Sequence, residues 1–286
     1  MSYPVVQSIR SILPLVDEFV VGVGQSEDNT RELLQSIADP KIHLFDSFWD
    51  TSKTSGGLIL SEKTNEALSR CEGDWCFYLQ ADEVVHELDL AAIRKSMEDH
   101  LDNPEVEGLL LRFVHFYGSF SVVATARNWY RNEVRVIKRS SGARSVRDAQ
   151  GFRIGGARPP RLLHAGERKP RVVASGASIF HYGWVKPPQL MGRKNQCAYQ
   201  LGYGKAGDDN VDDFRYRACY GLKRFTGAHP AVMRELVDNQ DWIFEPHSIV
   251  SQWDSRDVKN VLSDIVEKAT GYRVGEHKNY VLLKRP

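Results

Sequence analysis

Apolar positions along the first 115 residues recur with helical and strand periods in turn. Residues 4–16 carry apolar side chains at helical spacing, and residues 17–23 form an apolar run that predicts a strand. A second helix follows the next polar loop and precedes a strand at 41–45. A helix over 58–70 leads to the strand 74–79, whose apolar residues run without alternation. Such a run is typical of a parallel strand that is covered on both faces.

The same pattern continues through a helix at 88–101 and strands at 106–116 and 133–138. Because strands and helices alternate, the sequence predicts an α/β fold in which helices flank a mixed, mostly parallel sheet. Toward its C-terminus the chain becomes polar and largely helical in pattern. We therefore predict one α/β domain over residues 1–188 and a mostly helical extension over residues 189–286 that packs on it.

Composition and charge remove several classes of protein from consideration. The 286 residues are 42% hydrophobic and 26% charged, which is typical of a soluble protein. Lys and Arg (38) balance Asp and Glu (37), so a nucleic-acid partner is not expected. The sequence has no signal-peptide pattern and no transmembrane segment, which would need roughly 20 apolar residues. We expect a cytoplasmic location, with a peripheral contact at the inner face of the membrane left open.

Carboxylates follow directly after the buried strand FYL, where Asp82 and Glu83 end the stretch QADE. In open α/β sheets ligands bind beyond the carboxyl ends of the strands, so these side chains lie at the expected site edge. Carboxylates suit Mg²⁺ or Mn²⁺, which bridge to phosphates. His181 ends another apolar strand, in IFHYGW, and can join Asp82 on a metal. The alternatives are a turn that caps the next helix and a structural histidine.

Residues 139–176 form a basic, loop-rich stretch that contains Asp148 in the segment SVRDAQGF. A carboxylate held near Arg147 and Arg153 can act as a general base on a sugar hydroxyl, or can form an ordinary surface ion pair. The arginines of the stretch can bind a diphosphate or remain solvated. Several aromatic side chains are either a sugar-stacking wall or part of the core: Phe116, Tyr117, Phe120, Trp129, Tyr130, Tyr182 and Trp184.

The order of these motifs resembles the family 2 glycosyltransferases, inverting enzymes of the GT-A fold that use nucleotide-diphosphate sugars. SILPLVDEFVVGVGQSEDNT resembles the family's first helix, second strand and Ser-rich turn. SEKTNEALSRCEGDWCFYLQADE resembles the helix, Gly-Asp and strand that lead to the Asp-x-Asp motif. QADEVVHE, RDAQGF and HYGWVKPP together resemble a bacterial subgroup. The resemblance covers residues 4–120 closely and residues 130–190 loosely.

The resemblance implies roles for individual residues at the metal and the acceptor. Asp82 corresponds to the second Asp of Asp-x-Asp, which coordinates the Mn²⁺ or Mg²⁺ that grips the donor diphosphate. His181 corresponds to the histidine that completes the coordination. Asp148 corresponds to the catalytic base. Glu83 is expected beside the metal ligands or on the acceptor side, as a second catalytic candidate.

Donor-binding roles follow in the same way. Gln80 replaces the first Asp of the motif; it can hydrogen-bond a ribose hydroxyl but brings no charge. Lys63 and Asn65 lie on the helix that faces the donor, and Asp28 lies in the turn near the nucleotide. The family also opens with a strand before the first helix, whereas this sequence starts in the helix. We expect either a start further upstream or a sheet without that strand, and we favour the upstream start.

The implied function is metal-assisted transfer of a sugar from a nucleotide-diphosphate donor to a hydroxyl of a glycan or lipid-linked acceptor, in surface polysaccharide or glycoconjugate synthesis. The basic stretch 139–176 is expected to order over the donor as a lid. One alternative is a catalytically inactive, glycosyltransferase-like binding or scaffold protein, favoured by Gln80 and the absent strand. The other is a sugar nucleotidyltransferase, although the Gly-rich loop of that class is not found.

Overall fold

The computed structural model describes seven segments of the chain, namely residues 3–25, 28–50, 56–149, 151–155, 166–200, 214–244 and 254–284. Their helices and strands, in chain order, are α1 (Val5–Ile12), β1 (Phe19–Val23), α2 (Thr30–Gln35), β2 (Ile42–Asp46), α3 (Leu58–Leu68), β3 (Trp75–Phe77), β4 (Glu83–Val85), α4 (Leu90–Asp99), β5 (Gly108–Tyr117), β6 (Ser119–Ala124), β7 (Asn132–Lys138), β8 (Arg144–Ser145), β9 (Phe152–Arg153), β10 (Arg171–Trp184), α5 (Pro188–Gln200), β11 (Leu222–Arg224), α6 (Arg234–Asp238), α7 (Ser255–Thr270) and β12 (Val281–Leu282). The helices and strands predicted from periodicity in the first 115 residues are confirmed, with shifted ends.

Eight strands form the main sheet, in which β11, β6, β5, β10 and β12 are neighbours in that order. β7 pairs with β5 and β3, and β4 pairs with β10. Two of these pairings, β5 with β10 and β10 with β12, are parallel, and the other five are antiparallel. The prediction of a mostly parallel sheet is therefore wrong, although the mixed α/β class is correct.

The error has a physical cause in β3. Its uninterrupted apolar residues do report burial on both faces, but burial does not set the direction of the neighbouring strand. β3 pairs antiparallel with β7, which arrives from the far end of the β5–β6 hairpin. That hairpin turns at Gly118, whose φ of 73° and contact with the Phe244 ring leave no room for a side chain.

The core lies between the main sheet and the helices on its two faces. On one face α1 and α4 pack on the sheet through Ile12 and Ile93, which contact Leu109, Val136 and Ile179 in a fully buried cluster. On the other face a second cluster includes the residues Cys76, Val134, Phe152 and Tyr280. The strands that carry the polar site residues are thereby held rigidly from both sides.

Residues 189–286 contribute more than helices. β11 pairs with β6 and β12 pairs with β10, so the C-terminal part adds two strands to the main sheet. The longest helix of this part is α7, which starts at a capping box formed by Asp254 and Asp257. It ends at Gly271, which has a φ of 73°. No helix in the described segments is long and apolar enough to cross a membrane.

Candidate active site

A cavity of about 2020 Å³ opens at the edge of the main sheet where β3 ends. Five of the predicted catalytic, donor-binding and metal-binding residues line it, namely Lys63, Gln80, Asp82, Asp148 and His181. Glu83, Asn65 and Asp28 do not line it. The structure therefore brings the predicted metal ligands and the predicted base to one cavity, and gives three other predicted residues different surroundings.

Asp82 and His181 meet because of the pairing between β4 and β10. In that antiparallel ladder His181 is opposite Glu83, and the Tyr182 amide donates a hydrogen bond to the Asp82 carbonyl over 2.8 Å. Asp82 Oδ2 consequently lies 3.8 Å from His181 Nε2. Both residues are 8% exposed. The strand that carries the histidine and the loop that carries the carboxylate are thus fixed by backbone hydrogen bonds.

A chain of hydrogen bonds sets the tautomer of His181. His115 Nε2 lies 2.7 Å from the carbonyl oxygen of Tyr130, which can only accept, so this nitrogen must carry the proton. Burial, together with the nearby His181, lowers the pKa of His115 to about 3 and keeps it neutral. His115 Nδ1 therefore accepts from His181 Nδ1, 3.0 Å away. The remaining nitrogen of His181, Nε2, faces Asp82 with its lone pair when the ring is neutral.

Two acceptor atoms therefore face each other across 3.8 Å, and an arrangement of this kind suits a cation shared between them. Burial raises the pKa of Asp82, but the nearby His181, Lys194 and Lys186 outweigh burial and lower it, so the carboxylate is ionised. Burial lowers the pKa of His181, which favours its neutral ring. The described residues hold no cluster of three or more His, Cys, Asp or Glu arranged for a metal. A divalent ion here would take part of its coordination from the substrate.

Two lysines that the sequence did not single out complete the group. Lys194 Nζ lies 3.5 Å from Asp82 Oδ2 and donates to the Gly183 carbonyl over 2.7 Å. Lys186 Nζ lies 3.9 Å from the centre of the Tyr3 ring. Burial and the nearby Lys194 lower the pKa of Lys186 to about 8. One carboxylate, one imidazole and the Lys194 ammonium line this end of the cavity, and the buried Lys186 lies close enough to influence Asp82. Such a group suits a phosphate-bearing ligand.

Gly183 has to be a glycine for this geometry to exist. A Cβ atom at this position would lie 2.6 Å from Asp82 Oδ2 and 2.7 Å from His181 Nε2. The backbone of β10 passes directly beside both polar atoms, so any side chain would push them apart. The sequence HYGW therefore carries both a predicted ligand and the space that the ligand needs.

Glu83 is fully buried and pairs with Arg135 through hydrogen bonds of 2.6 and 2.9 Å. It does not reach the cavity, so its place in the structure is that of an anchor for the loop before β4. Its Oε2 also accepts a hydrogen bond from the backbone amide of Gln80 at 3.2 Å. The Gln80 side chain donates to the hydroxyl of Tyr78 over 3.0 Å. Glu83 therefore positions the predicted donor-binding residue instead of contacting an acceptor.

Asp148 lies in a tight loop between β8 and β9. Its neighbours Arg147 and Ala149 have φ values of 57° and 60°, a conformation that is rare for residues other than glycine. Asn65 holds the start of this loop, because its side-chain amide donates to the Ser145 carbonyl at 2.9 Å and accepts the Ser145 amide at 2.8 Å. Backbone conformations of this kind cluster at functional sites.

The other predicted donor contacts have local partners. Lys63 lines the cavity and forms an ion pair of 2.9 Å with Glu66. Asp28 accepts hydrogen bonds from the amide and hydroxyl of Thr30 at the start of α2, away from the cavity. Asp28 has the geometry of a turn residue, and nothing in its described surroundings brings it to a nucleotide.

Ion pairs occupy several arginines of the predicted basic lid. The pairs are Arg144 with Glu167, Arg168 with Glu107, and Arg171 with both Glu105 and Glu107. Arg153 donates to Asn279 at 3.1 Å. Arg158 and Arg161 lie outside the described residues, as does the middle of the predicted lid at 156–165. Of the described arginines in this stretch, Arg147 lines the cavity.

The predicted aromatic wall divides into two groups. Phe116, Phe120 and Tyr182 are buried in a core cluster with Met233, so they belong to the interior. Four others line the cavity and form a continuous aromatic surface: Tyr117, Trp129, Tyr130 and Trp184. This surface adjoins His115, which lies 5.1 Å from Trp129 and 4.5 Å from Tyr130 between ring centroids. It is suited to stacking against a sugar or a base.

Glu133 is a further carboxyl that lines the cavity. It is 6% exposed, and within the described part of the chain its Oε2 atom has no hydrogen-bond partner. Burial raises its pKa to about 7, although Arg135 and a hydrogen bond with Asn279 act in the opposite direction. Arg153, Tyr130 and Tyr280 also lie near enough to feel its charge.

Glu133→Gln should make the stability of the protein less dependent on pH. A carboxyl group whose pKa is raised in the folded state contributes fully to the free energy of unfolding below its unfolded-state pKa of about 4.5. That contribution is lost as the pH rises through its folded-state pKa of about 7. The variant should match the natural protein at pH 4.5 and exceed it by up to about 3 kcal/mol at pH 8. Urea unfolding at several pH values measures the difference. The exposed carboxyl variant Glu32→Gln is the control, and parallel pH curves for all three proteins would contradict the prediction.

Four residues at the site escaped the sequence interpretation: His115, Glu133 and Lys194, which line the cavity, and Lys186, which is buried beside it. His115 is a polar residue in the largely apolar strand β5, and this departure from the pattern was the available signal. Glu133 lies in β7 among other polar residues, so its context carried no such signal. Lys186 follows His181 closely in HYGWVK, so proximity to a predicted ligand pointed to it. Lys194 lies on α5 with no sequence signal beyond its charge.

No protein-family model matches the chain, and no curated protein matches it at a significant level.

Proposed function

We propose that this protein is a glycosyltransferase that moves a sugar from a nucleotide-diphosphate donor to an acceptor hydroxyl with inversion. The observation that carries the proposal is the group at the end of β3, where Asp82 and His181 face each other beside Lys186 and Lys194. A carboxylate and an imidazole nitrogen suit a divalent cation, and the lysines suit the charge of a diphosphate. The resemblance of the same stretch to family 2 glycosyltransferases supports this function.

The residues at this end of the cavity would act on the leaving group. Asp82 and His181 would hold Mn²⁺ or Mg²⁺, which supplies Lewis-acid stabilisation of a departing nucleotide diphosphate when bound. Lys194, 3.5 Å from Asp82, adds positive charge on the same side. His115 keeps the metal-facing nitrogen of His181 free of a proton through its contact with Nδ1. Gly183 leaves the space in which these groups converge.

The opposite half of the reaction would use Asp148. Its carboxylate would take the proton of the acceptor hydroxyl as the hydroxyl oxygen attacks the anomeric carbon and the bond to the diphosphate breaks. Trp129 and Trp184 offer aromatic faces for the sugar rings. We further propose a glycan or lipid-linked acceptor and a cytoplasmic location at the membrane surface, by resemblance alone.

A thermal-shift panel tests the function directly. UDP-, GDP-, dTDP- and CMP-sugars are each added with Mn²⁺ and with EDTA, and free sugars without a nucleotide serve as the control. One nucleotide should raise Tm with Mn²⁺, by RT ln(1 + [L]/Kd) in free energy, and EDTA should remove most of the shift. A shift that survives EDTA would assign the charge neutralisation to the lysines alone. No shift with any nucleotide would contradict the proposed function.

A further inference from the structure

One wall of the cavity is built by the loop 125–130, between β6 and β7, and by α7 with the segment that follows it. Asn260 of α7 donates a hydrogen bond to the Asn128 side chain over 3.3 Å, and Arg127 donates to the Val274 carbonyl over 3.4 Å. Three cationic side chains of these segments line the cavity, and we call them the basic wall: Arg127, Lys259 and Arg273. None of the three belongs to the proposed metal site.

Arg273 is a buried cation with part of its hydrogen-bonding capacity unused. Only 5% of the residue is exposed, and its Nη2 donates over 2.8 to 3.4 Å to three main-chain carbonyls of the loop, those of Thr125, Ala126 and Trp129. In the described part of the chain its Nη1 has no hydrogen-bond partner. A buried donor without a partner costs free energy, and an acceptor atom of a ligand would remove that cost.

Trp129 brings a second donor of this kind to the same place. Its carbonyl accepts from Arg273, its ring lines the cavity, and its Nε1 has no hydrogen-bond partner among the described residues. Lys259, next to Asn260, is exposed and forms no hydrogen bond or ion pair with a described residue. Indole, ammonium and guanidinium groups donate hydrogen bonds and do not accept them. The unused groups at this wall are therefore donors.

The carboxylates of this part of the chain are already paired. Within residues 254–284 the described pairs are Asp254 with Arg256, Asp257 with Arg217, Asp264 with Tyr220, Glu267 with Arg131, and Glu276 with Lys278. Burial and Arg131 lower the pKa of Arg273, although Glu267 and Glu276 act in the opposite direction. The positive charge of the basic wall is thus available to an anion.

We propose that the basic wall binds the phosphate or carboxylate group of an anionic acceptor sugar. Guanidinium and ammonium groups with unused donors match the oxygen atoms of such a group, and hydrogen bonds between ionised partners are the stronger kind. The identity of the ligand as an acceptor rests on the proposed function, whereas the anion site itself rests on the contacts and charges of the wall.

The position of Trp129 connects the basic wall with the proposed reacting centre. Its ring centroid lies 5.1 Å from that of His115, and His115 contacts His181 Nδ1 at 3.0 Å. A sugar ring stacked on Trp129 would therefore lie between His181 and the basic wall, with its anionic group at the wall. The donor diphosphate would use Lys186 and Lys194 instead, so separate cations would hold the two ligands.

Calorimetric titration with glucose 6-phosphate, glucuronate and glucose tests the inference, in EDTA and without a donor. At least one of the two anions should bind about tenfold or more tightly than glucose, because charge-assisted hydrogen bonds are gained. The anion that binds more tightly shows whether the wall selects a phosphate or a carboxylate. Affinity for both anions no greater than that for glucose would overturn the inference.

Arg127→Ala and Lys259→Ala each remove one cation from the wall and leave the buried Arg273 in place, so both variants should fold. Each should weaken binding of the preferred anion by about fivefold or more. Lys268→Ala is the matched control, because Lys268 is an exposed cation of α7 that does not line the cavity, and it should leave the affinity within about twofold. If Lys194→Ala abolishes binding while the two wall variants keep it, the anion occupies the proposed donor site and the inference is wrong.

The indole N–H signals of the six tryptophans locate the bound anion in solution. The Trp129 signal, identified by its loss in Trp129→Phe, should move when the preferred anion is added, since an acceptor arrives beside an unpaired donor. Trp75 is the internal control, because its Nε1 also has no partner among the described residues but lies in β3. A shift of Trp75 without a shift of Trp129 would contradict the proposed location.

The anion titration and the nucleotide panel fail independently of each other. Saturation with the donor that the panel identifies should leave the Trp129 shift intact. Loss of the shift would assign the wall to the donor and overturn the inference. If no nucleotide binds and the anion still does, the proposed function is contradicted while the anion site stands.

Discussion

Asp82→Asn will lower kcat for sugar transfer by about 10³-fold or more, since several kcal/mol of charge stabilisation at the leaving group are lost with the carboxylate. The change keeps the shape of the side chain and removes its charge. The Asp82 carboxylate is also the common partner of Lys194 and His181. In the Asn variant both groups lose the negative charge that they face. The measurement is release of nucleotide from the donor that the thermal-shift panel identifies.

Asp99→Asn is the matched control for this prediction, because Asp99 is an exposed carboxylate paired with Lys95 on α4. It should leave kcat within about twofold, as exposed ion pairs contribute little. Unfolding of both variants by urea shows whether either change acts through stability. If Asp82→Asn stays folded and keeps its turnover, the proposed catalytic site is wrong. If the natural protein binds the nucleotide but releases none, the inactive binding protein becomes the better interpretation.

Arg135→Ala will lower the free energy of unfolding by about 3–5 kcal/mol. The Arg135 side chain is 3% exposed and its partner Glu83 is fully buried, so the change leaves a buried carboxyl group without the two hydrogen bonds that it accepts from the guanidinium. Burial lowers the pKa of Arg135, but the interaction with Glu83 outweighs burial and raises it, so the guanidinium keeps its charge in the interior. The guanidinium also packs against the rings of Tyr78 and Phe113. Urea unfolding at pH 7 gives the value.

The double variant Glu83→Leu with Arg135→Leu separates the loss of the pair from the loss of one partner. Replacing both charges leaves no unpaired ion in the core, so most of the stability should return. Lys95→Ala, which breaks the exposed pair with Asp99, should change the unfolding free energy by less than about 0.5 kcal/mol. A cost below about 1 kcal/mol for Arg135→Ala would show that the buried pair is not a structural anchor of the site.

The sequence predicted the local elements well because their signals are local. The spacing of Ile9 and Ile12 in α1 and the run Trp75–Phe77 in β3 can be read within a short window. The direction of the sheet could not be read in this way. It depends on β7 reaching β3 after the β5–β6 hairpin, a pairing between residues about 60 positions apart. Periodicity records burial, and it holds no information about which strand lies alongside.

The same distinction explains the outcome for the site. Asp82 and His181 were singled out because each follows an apolar run in the sequence, and both line the cavity. Glu83 was taken for a reactive neighbour of Asp82, because its partner Arg135 is 52 positions away and is invisible in the local sequence. Asn65 likewise reaches Ser145 across 80 positions. Charge alone does not tell whether a side chain meets a ligand or another residue.

The tautomer of His181 is fixed by a main-chain atom, the carbonyl oxygen of Tyr130, which acts through His115. Every amino acid carries that atom, so a change of side chain at position 130 leaves the origin of the tautomer in place. His115 is the side chain that connects the Tyr130 carbonyl with His181 and that a mutation can remove. Substitutions can therefore alter the aromatic surface of the cavity to suit a new sugar while Nε2 of His181 stays available. Sugar specificity can change in this way without a change in the reactive group.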